Sequence, residues 1–159
     1  MKKLILAGML CLFSGLALAQ TVSVQLVWNS QAEEKTILPY IQAVLGGCLM
    51  QLFDRGMMGT NTNPVAGTKE TFESIRPDAE SEEAYIDYIV VFFLDFKDIK
   101  TGPAEIRYRL LSVASGKEIG KGTVVVPAVK PDTSQDLIKY YHTLGTLIMK
   151  DAFSNGVLK

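Results

Sequence analysis

The chain reads as an α+β protein: an antiparallel or mixed sheet of about four strands, with two main helices packed on one face. Three observations predict this. The stretch from Ala84 to Val126 carries three successive strand patterns joined by short turns. A fourth strand pattern opens the chain after its leader, at Thr21 to Trp28. Two helical stripes, ending near Phe53 and Phe153, lie before and after the three-strand block.

The leader comes first. Lys2 and Lys3, the apolar run Leu4 to Phe13, and Ala17-Leu18-Ala19 before Gln20 form the pattern of a secretory signal over residues 1–19. Its apolar stretch is short for a membrane anchor and a polar chain follows, so cleavage is expected. That leaves residues 20–159 as a single α+β domain, periplasmic or secreted. Cys11 raises the question of lipidation. Leu10 stands where a lipobox has a small residue, and Leu12 and Phe13 follow the cysteine, so the expectation is an unlipidated chain.

Loss of Lys2 and Lys3 moves the formal charge from −1 to −3, which leaves no basic footprint for nucleic acid. Cys48 is then the remaining thiol, and no intrachain disulfide can form. No further segment reads as a membrane span.

In Thr21 to Trp28, Val22, Val24, Leu26 and Trp28 share one face with Ser23 and Gln25 opposite, the pattern of a half-buried strand. Ser30 and Glu33 have capping-box spacing at a helix entrance. Pro39 predicts either a kink or a new helical start. Ile37, Ile41, Val44, Leu45, Cys48, Leu49, Leu52 and Phe53 then recur at helical spacing, and Gly56 is the expected stop. Gly46-Gly47 interrupts this helix at about 1 kcal/mol per glycine relative to alanine. A close backbone approach explains them; a binding groove is the competing reading.

Residues 57–81 are the least regular. Met57-Met58 reads as a short edge strand, Gly59 to Pro64 as a loop, Thr68 to Ile75 as a short helix and Asp78 to Ala84 as another. Tyr88 to Leu94 is an unbroken β-branched, aromatic and aliphatic run, which suits a central strand covered on both faces. In Ala104 to Ala114 the pattern alternates: Ile106, Tyr108 and Leu110 point one way, and Glu105, Arg107 and Arg109 the other. A three-residue loop with a bulge at Gly116 pairs Leu110 with Gly120 and Tyr108 with Gly122. It also places Lys121 beside Arg107 and Arg109. Pro127 and Pro131 mark a break. Asp132 and Gln135 then cap a closing helix lined by Leu137, Tyr140, Tyr141, Leu144, Leu147, Ile148 and Phe153, ended by Asn155-Gly156.

No catalytic or metal-binding signature emerges. His142 lacks Cys or His partners at ligand spacing, and Cys48 sits in an apolar stripe where a thiol behaves as a small hydrophobe. Ser115 to Thr123 fails the phosphate-loop spacing and lies between two strands. Asp78, Glu80, Glu82 and Glu83 lack the alternating oxygen pattern of a calcium loop. The expectation is therefore no enzyme, no cofactor and no metal. Arg107, Arg109 and Lys121 are the candidate partner-binding residues, able to dock an acidic surface or anionic ligand; an ordinary solvated sheet face competes with that reading.

Asp87-Tyr88-Ile89-Val90-Val91, followed by Arg109-Leu110-Leu111-Ser112-Val113-Ala114-Ser115-Gly116-Lys117-Glu118-Ile119, resembles a pattern of exported envelope proteins. These have the LpoB-type penicillin-binding-protein activator fold, related to CsgG-like domains and the amino-terminal domain of TolB. The resemblance implies a noncatalytic accessory or assembly role in the cell envelope and assigns no individual residue. The leading expectation is a periplasmic accessory protein that binds another envelope protein. The alternative is a small-ligand carrier with a pocket between the Gly46-Gly47 helix and the sheet. No pattern specifies an oligomeric state.

Overall fold

A computed structural model of the protein describes residues 19–78, 80–81, 84–126, 132–154 and 158. The leader, the Pro127 and Pro131 break and the Asn155-Gly156 stop lie outside them, as does part of the expected Asp78 to Ala84 helix. In chain order the elements are β1 (Thr21–Ser30), α1 (Glu34–Asp54), β2 (Met58–Asn61), β3 (Val65–Ala66), α2 (Lys69–Ser74), β4 (Tyr88–Asp98), β5 (Gly102–Ser112), β6 (Lys117–Val124) and α3 (Ser134–Ser154).

The fold is α+β with a mixed sheet of six strands among the described residues, not about four. The order is β2-β1-β4-β5-β6, with β3 also on β1. β1 runs parallel to β2, β3 and β4, whereas β4–β5 and β5–β6 are antiparallel. The two extra strands carry little sequence signal, since all six of their residues are exposed. They add to β1 through backbone pairing, and Gly59 to Asn61, expected as loop, belong to β2.

β4 lies mid-sheet, and Ile89 through Leu94 are buried on both faces. On the first face Val90, Phe92, Leu94 and Phe96 pack with β1, β5, α1 and α3. On the second, Ile89, Val91 and Phe93 pack with Val27, Leu111, Val113 and Phe72 of α2. Each large apolar side chain so buried contributes about 1.5–3 kcal/mol. β1 is covered more fully than its alternation suggests, because Ser23 and Val27 on its second face are buried as well. Asp87 ties the two strands at their start: its carboxylate accepts the Thr21 N–H at 2.7 Å, and its N–H donates to the Thr21 carbonyl at 2.9 Å.

The helix ends follow local chemistry, with two shifts from expectation. Ser30 closes β1 and accepts the Ala32 N–H at 3.0 Å, so α1 begins at Glu34 without a side-chain cap. Pro39 sits inside a continuous α1. Gly56 takes φ 72° and ends α1 as expected, with Gly56 N–H donating to Phe53 and Met57 N–H to Leu52. At α3 the cap is Thr133, not Asp132: its hydroxyl accepts the Asp136 N–H at 3.1 Å. α1 is also 21 residues long and apolar enough to meet the length and composition of a membrane span, contrary to expectation. Here Ile37, Ile41, Val44, Leu45, Cys48 and Leu52 are buried in the core.

The hairpin keeps the expected register, with Leu110 opposite Gly120, Tyr108 opposite Gly122 and Arg109 opposite Lys121. The loop is one residue longer than expected. Ser112 pairs with Lys117, and the extra residue is Ile119, between the positions opposite Leu110 and Leu111. Gly116 has φ 65° within the loop. Gly122 is required by packing, since a Cβ there would lie 2.5 Å from the Tyr108 hydroxyl.

Gly47 and Gly145 are a matched pair where α1 meets α3. A Cβ on Gly47 would lie 2.1 Å from the His142 carbonyl oxygen, and one on Gly145 2.0 Å from that of Val44. The Cys48 thiol, fully buried, reaches the Gly145 carbonyl at 3.5 Å. Gly47 therefore faces the partner helix and not a groove against the sheet, so the glycine pair is explained by close backbone approach. Gly46 is different, with its nearest neighbour at an ordinary 3.7 Å. Gly47→Ala and Gly145→Ala should each lower stability in urea unfolding by about 1–3 kcal/mol or more, as overpacking does. Gly46→Ala should be neutral or stabilising by up to about 1 kcal/mol.

Candidate functional site

Alternation along β5 and the register of β6 place Glu105, Arg107, Arg109 and Lys121 on the second face of the sheet. α2 lies beside them, because Phe72 inserts into the apolar cluster there and stacks near Phe93 with ring centroids 5.8 Å apart. The sheet face and α2 bound an open-sided groove of about 560 Å³. Five basic side chains line it: Lys69 and Arg76 from the α2 region, Arg107 and Arg109 from β5, and Lys121 from β6. Three carboxylates, Glu73, Glu105 and Glu118, line it as well.

The three expected residues share this groove but not one role. Arg109 is buried, its side chain 9% exposed, and its Nε donates to Glu118 at 2.6 Å. Its Nη1 donates to the carbonyls of Phe72, Glu73 and Ile75 at 2.9, 3.1 and 3.5 Å. These carbonyls close the last turn of α2, where a helix leaves its acceptors unpaired and favours a cation. Arg109 also sits 5.6 Å from the centre of the Phe72 ring. It fastens α2 to the sheet and is not free to meet a partner. Periodicity showed which face Arg109 takes, whereas its cover comes from residues more than thirty positions upstream.

Arg107 is half-buried and grips Glu105 through two bonds of 2.7 Å. Lys121 is 77% exposed and meets Glu118 only at 3.5 Å. The Arg107 hydrogen bonds hold the Glu105 carboxyl below the usual glutamate range, and the Arg109 hydrogen bond does the same for Glu118. Lys69, Arg76 and Glu73 were not singled out in the sequence, since the place of a short helix over the sheet is not readable from periodicity.

A second feature lies at the other end of the sheet. Leu49 and Phe53 of α1, with Met57, Met58 and Gly59, line a recess of about 540 Å³. Phe53, expected in the buried stripe, is 81% exposed; Met58 and Met50 are also largely exposed. In the last turn of α1, Leu52 takes the buried position against β2, and Phe53, the next residue, points outward beside that edge strand. A Cβ on Gly59 would lie 3.0 Å from Leu49 and 3.1 Å from Leu52, so glycine lets β2 approach α1 closely.

Neither residue weighed for chemistry assembles a site. His142 is half-buried on α3, and burial pushes the Cys48 thiol well above its ordinary pKa, away from the reactive thiolate. Among the described residues no three His, Cys, Asp or Glu side chains gather as a metal site requires.

No family model matches the chain, and no curated protein matches it. Solved structures do. A putative neuraminyllactose-binding hemagglutinin homolog from Helicobacter pylori is similar at TM-score 0.50 and 10% identity, over 87% of this chain and 83% of that one. TolB from Acinetobacter baumannii is similar at TM-score 0.46 and 12% identity, over 86% of this chain and 28% of that one. The chain thus spans little more than a quarter of TolB. Lipoprotein GNA1162 from Neisseria meningitidis is similar at TM-score 0.44 and 15% identity, over 87% of this chain and 97% of that one. At such identities the likeness is one of fold. The resemblance to LpoB-type, CsgG-like and TolB amino-terminal domains read from the sequence stays an expectation.

Arg109 and Arg107 should separate sharply in urea unfolding. Arg109→Met leaves the Phe72 carbonyl without this donor and Glu118 with only the longer Lys121 contact, and should cost roughly 3–5 kcal/mol. Arg107→Ala opens a partly exposed, solvent-screened pair and should lower the urea midpoint far less than Arg109→Met. The acid limb gives a second readout. Glu118 has its pKa lowered from the ordinary 4.5, so its contribution is complete above that value and is lost as pH falls through the lower folded one. The stability gap between wild type and Glu118→Gln should therefore shrink as pH falls below about 4.

Proposed function

We propose that this chain is an exported accessory protein of the cell envelope that acts by binding another envelope protein and performs no chemistry of its own. The leader pattern of residues 1–19 supports export. The observation that carries the binding reading is the exposed apolar recess at the β2 edge. Phe53 at 81% exposure and Met58 at 62% project from opposite walls of one concavity. Contiguous apolar surface of this kind marks interaction sites, and aromatic and methionine side chains are enriched at the centres of protein interfaces.

The neighbouring backbone strengthens the reading. β2 is an edge strand whose four residues, Met58 to Asn61, are uncharged and exposed. Edges left without charge or cover are ready to pair with another chain.

A photo-reactive side chain placed at Phe53 or Met58, in protein exported by its native cells, should give a discrete adduct with another envelope protein on illumination. The same group at Lys139, exposed on α3, serves as the control and should give none. Adducts equally abundant at Lys139, or absent from Phe53 and Met58, would remove the reading.

A further inference from the structure

We propose that the groove between α2 and β6 is a docking site for an extended acidic segment of the partner protein. This rests on the partner-binding reading above and adds where, and through what chemistry, part of that partner is held. Three independent features converge on it.

The first is charge. Five basic side chains face three carboxylates in the groove, within a chain whose overall formal charge is negative. The carboxylates are already engaged: Glu118 by Arg109 and Lys121, Glu105 by Arg107, and Glu73 by Lys69 at 3.6 Å. Asp95 adds negative charge near Arg107 from the far side. The cationic surplus therefore falls on Lys121, 77% exposed, and on Arg76, exposed at the end of α2. Arg76 bonds through one guanidinium nitrogen to the carbonyls of Glu73 and Ile75, and a guanidinium has five N–H donors. An acidic ligand would thus gain charge-assisted bonds, whereas a basic one would face the surplus.

The second feature is shape. The groove is in the volume range of ligand sites, about 300–1,000 Å³, but it is open-sided. A small anion there would keep much of its hydration. A segment belonging to a larger body brings its own cover. The third feature is backbone. β6 ends the sheet order, and among the described residues no strand pairs with its outer edge. Lys117, Lys121 and Thr123 are exposed along it. An extended segment can therefore add to the sheet through main-chain bonds while its carboxylates reach Lys121 and Arg76.

The test uses three labelled ten-residue peptides: alternating Glu and Thr, alternating Lys and Thr, and alternating Gln and Thr. Their binding to the purified protein is followed by fluorescence anisotropy. The Glu peptide should bind at least ten-fold more tightly than either of the others, with affinity falling as salt rises. Lys121→Glu combined with Arg76→Glu should abolish that preference, and unchanged thermal melting would show the fold intact. Phe53→Ser should leave peptide binding unaltered. Equal binding of the three peptides, or a preference kept by the double variant, would overturn the proposal. So would inorganic phosphate displacing the peptide at equal concentration, which would make the groove a small-anion site. A salt-sensitive dimer lost in the double variant would make the occupant a second copy and also overturn it. Photo-adducts at Phe53 that persist when the peptide fails would leave the partner-binding function standing; their absence with the peptide still bound would do the reverse.

Discussion

Everything in this fold depends on β4 being enclosed on two sides. A strand with apolar residues at successive positions cannot turn one face to water without exposing half of them. Phe92 and Leu94 therefore need the two long helices, and Val91 and Phe93 need a second cover. The parallel partner β1 and the antiparallel partner β5 follow, since both flank the strand that most requires shielding. Asp87 sets the register at the start of β4 by exchanging bonds with Thr21 across the parallel pair.

The two faces meet that requirement differently, and the difference creates the groove. On the first face, α1 and α3 come close because glycine faces backbone in both directions at Gly47 and Gly145. That contact is filled and leaves no room for a ligand. On the second face the cover among the described residues is the six-residue α2 with Ile75 and Ile86 beside it, held by Phe72 from below and by Arg109 at its end. A short helix covers the apolar middle but not the charged rows of β5 and β6. The groove is the uncovered remainder, so its existence depends on the same arginine that is unavailable for binding.

How much of this could be read from residues alone depended on how local the deciding interaction was. The doubly covered β4, the register of the hairpin and the two long helices were legible because period and turn chemistry act within a few positions. Edge strand β2 was read only at its first residue, Met58, and β3 not at all, since Gly59 to Asn61 and Val65-Ala66 carry no buried alternation and pair through backbone. Phe53 fits the helical stripe on paper, but its neighbour Leu52 takes the buried place in the last turn and Phe53 is left outside. The grouping of Arg107, Arg109 and Lys121 on one face was legible. Their separation into a clamp, a paired surface arginine and an open lysine was not, because α2 is placed over them by tertiary contacts. The Asp132 cap moved one residue to Thr133, an error of the size that helix ends commonly show, whereas α1, expected to be capped by Ser30, starts at Glu34 with no side-chain cap.

The central claim is that β4 is the most protected part of the chain, enclosed by unequal covers. Native-state hydrogen exchange, resolved amide by amide across a urea series, tests it most directly. The amides of Val90 to Leu94 should exchange only through global unfolding, with the same free energy and urea dependence as the equilibrium transition. Those of Met58 to Asn61 should exchange through small local openings that urea hardly affects. If β4 instead opens locally, at a free energy no higher than that of β2, the enclosure described here does not organise the fold.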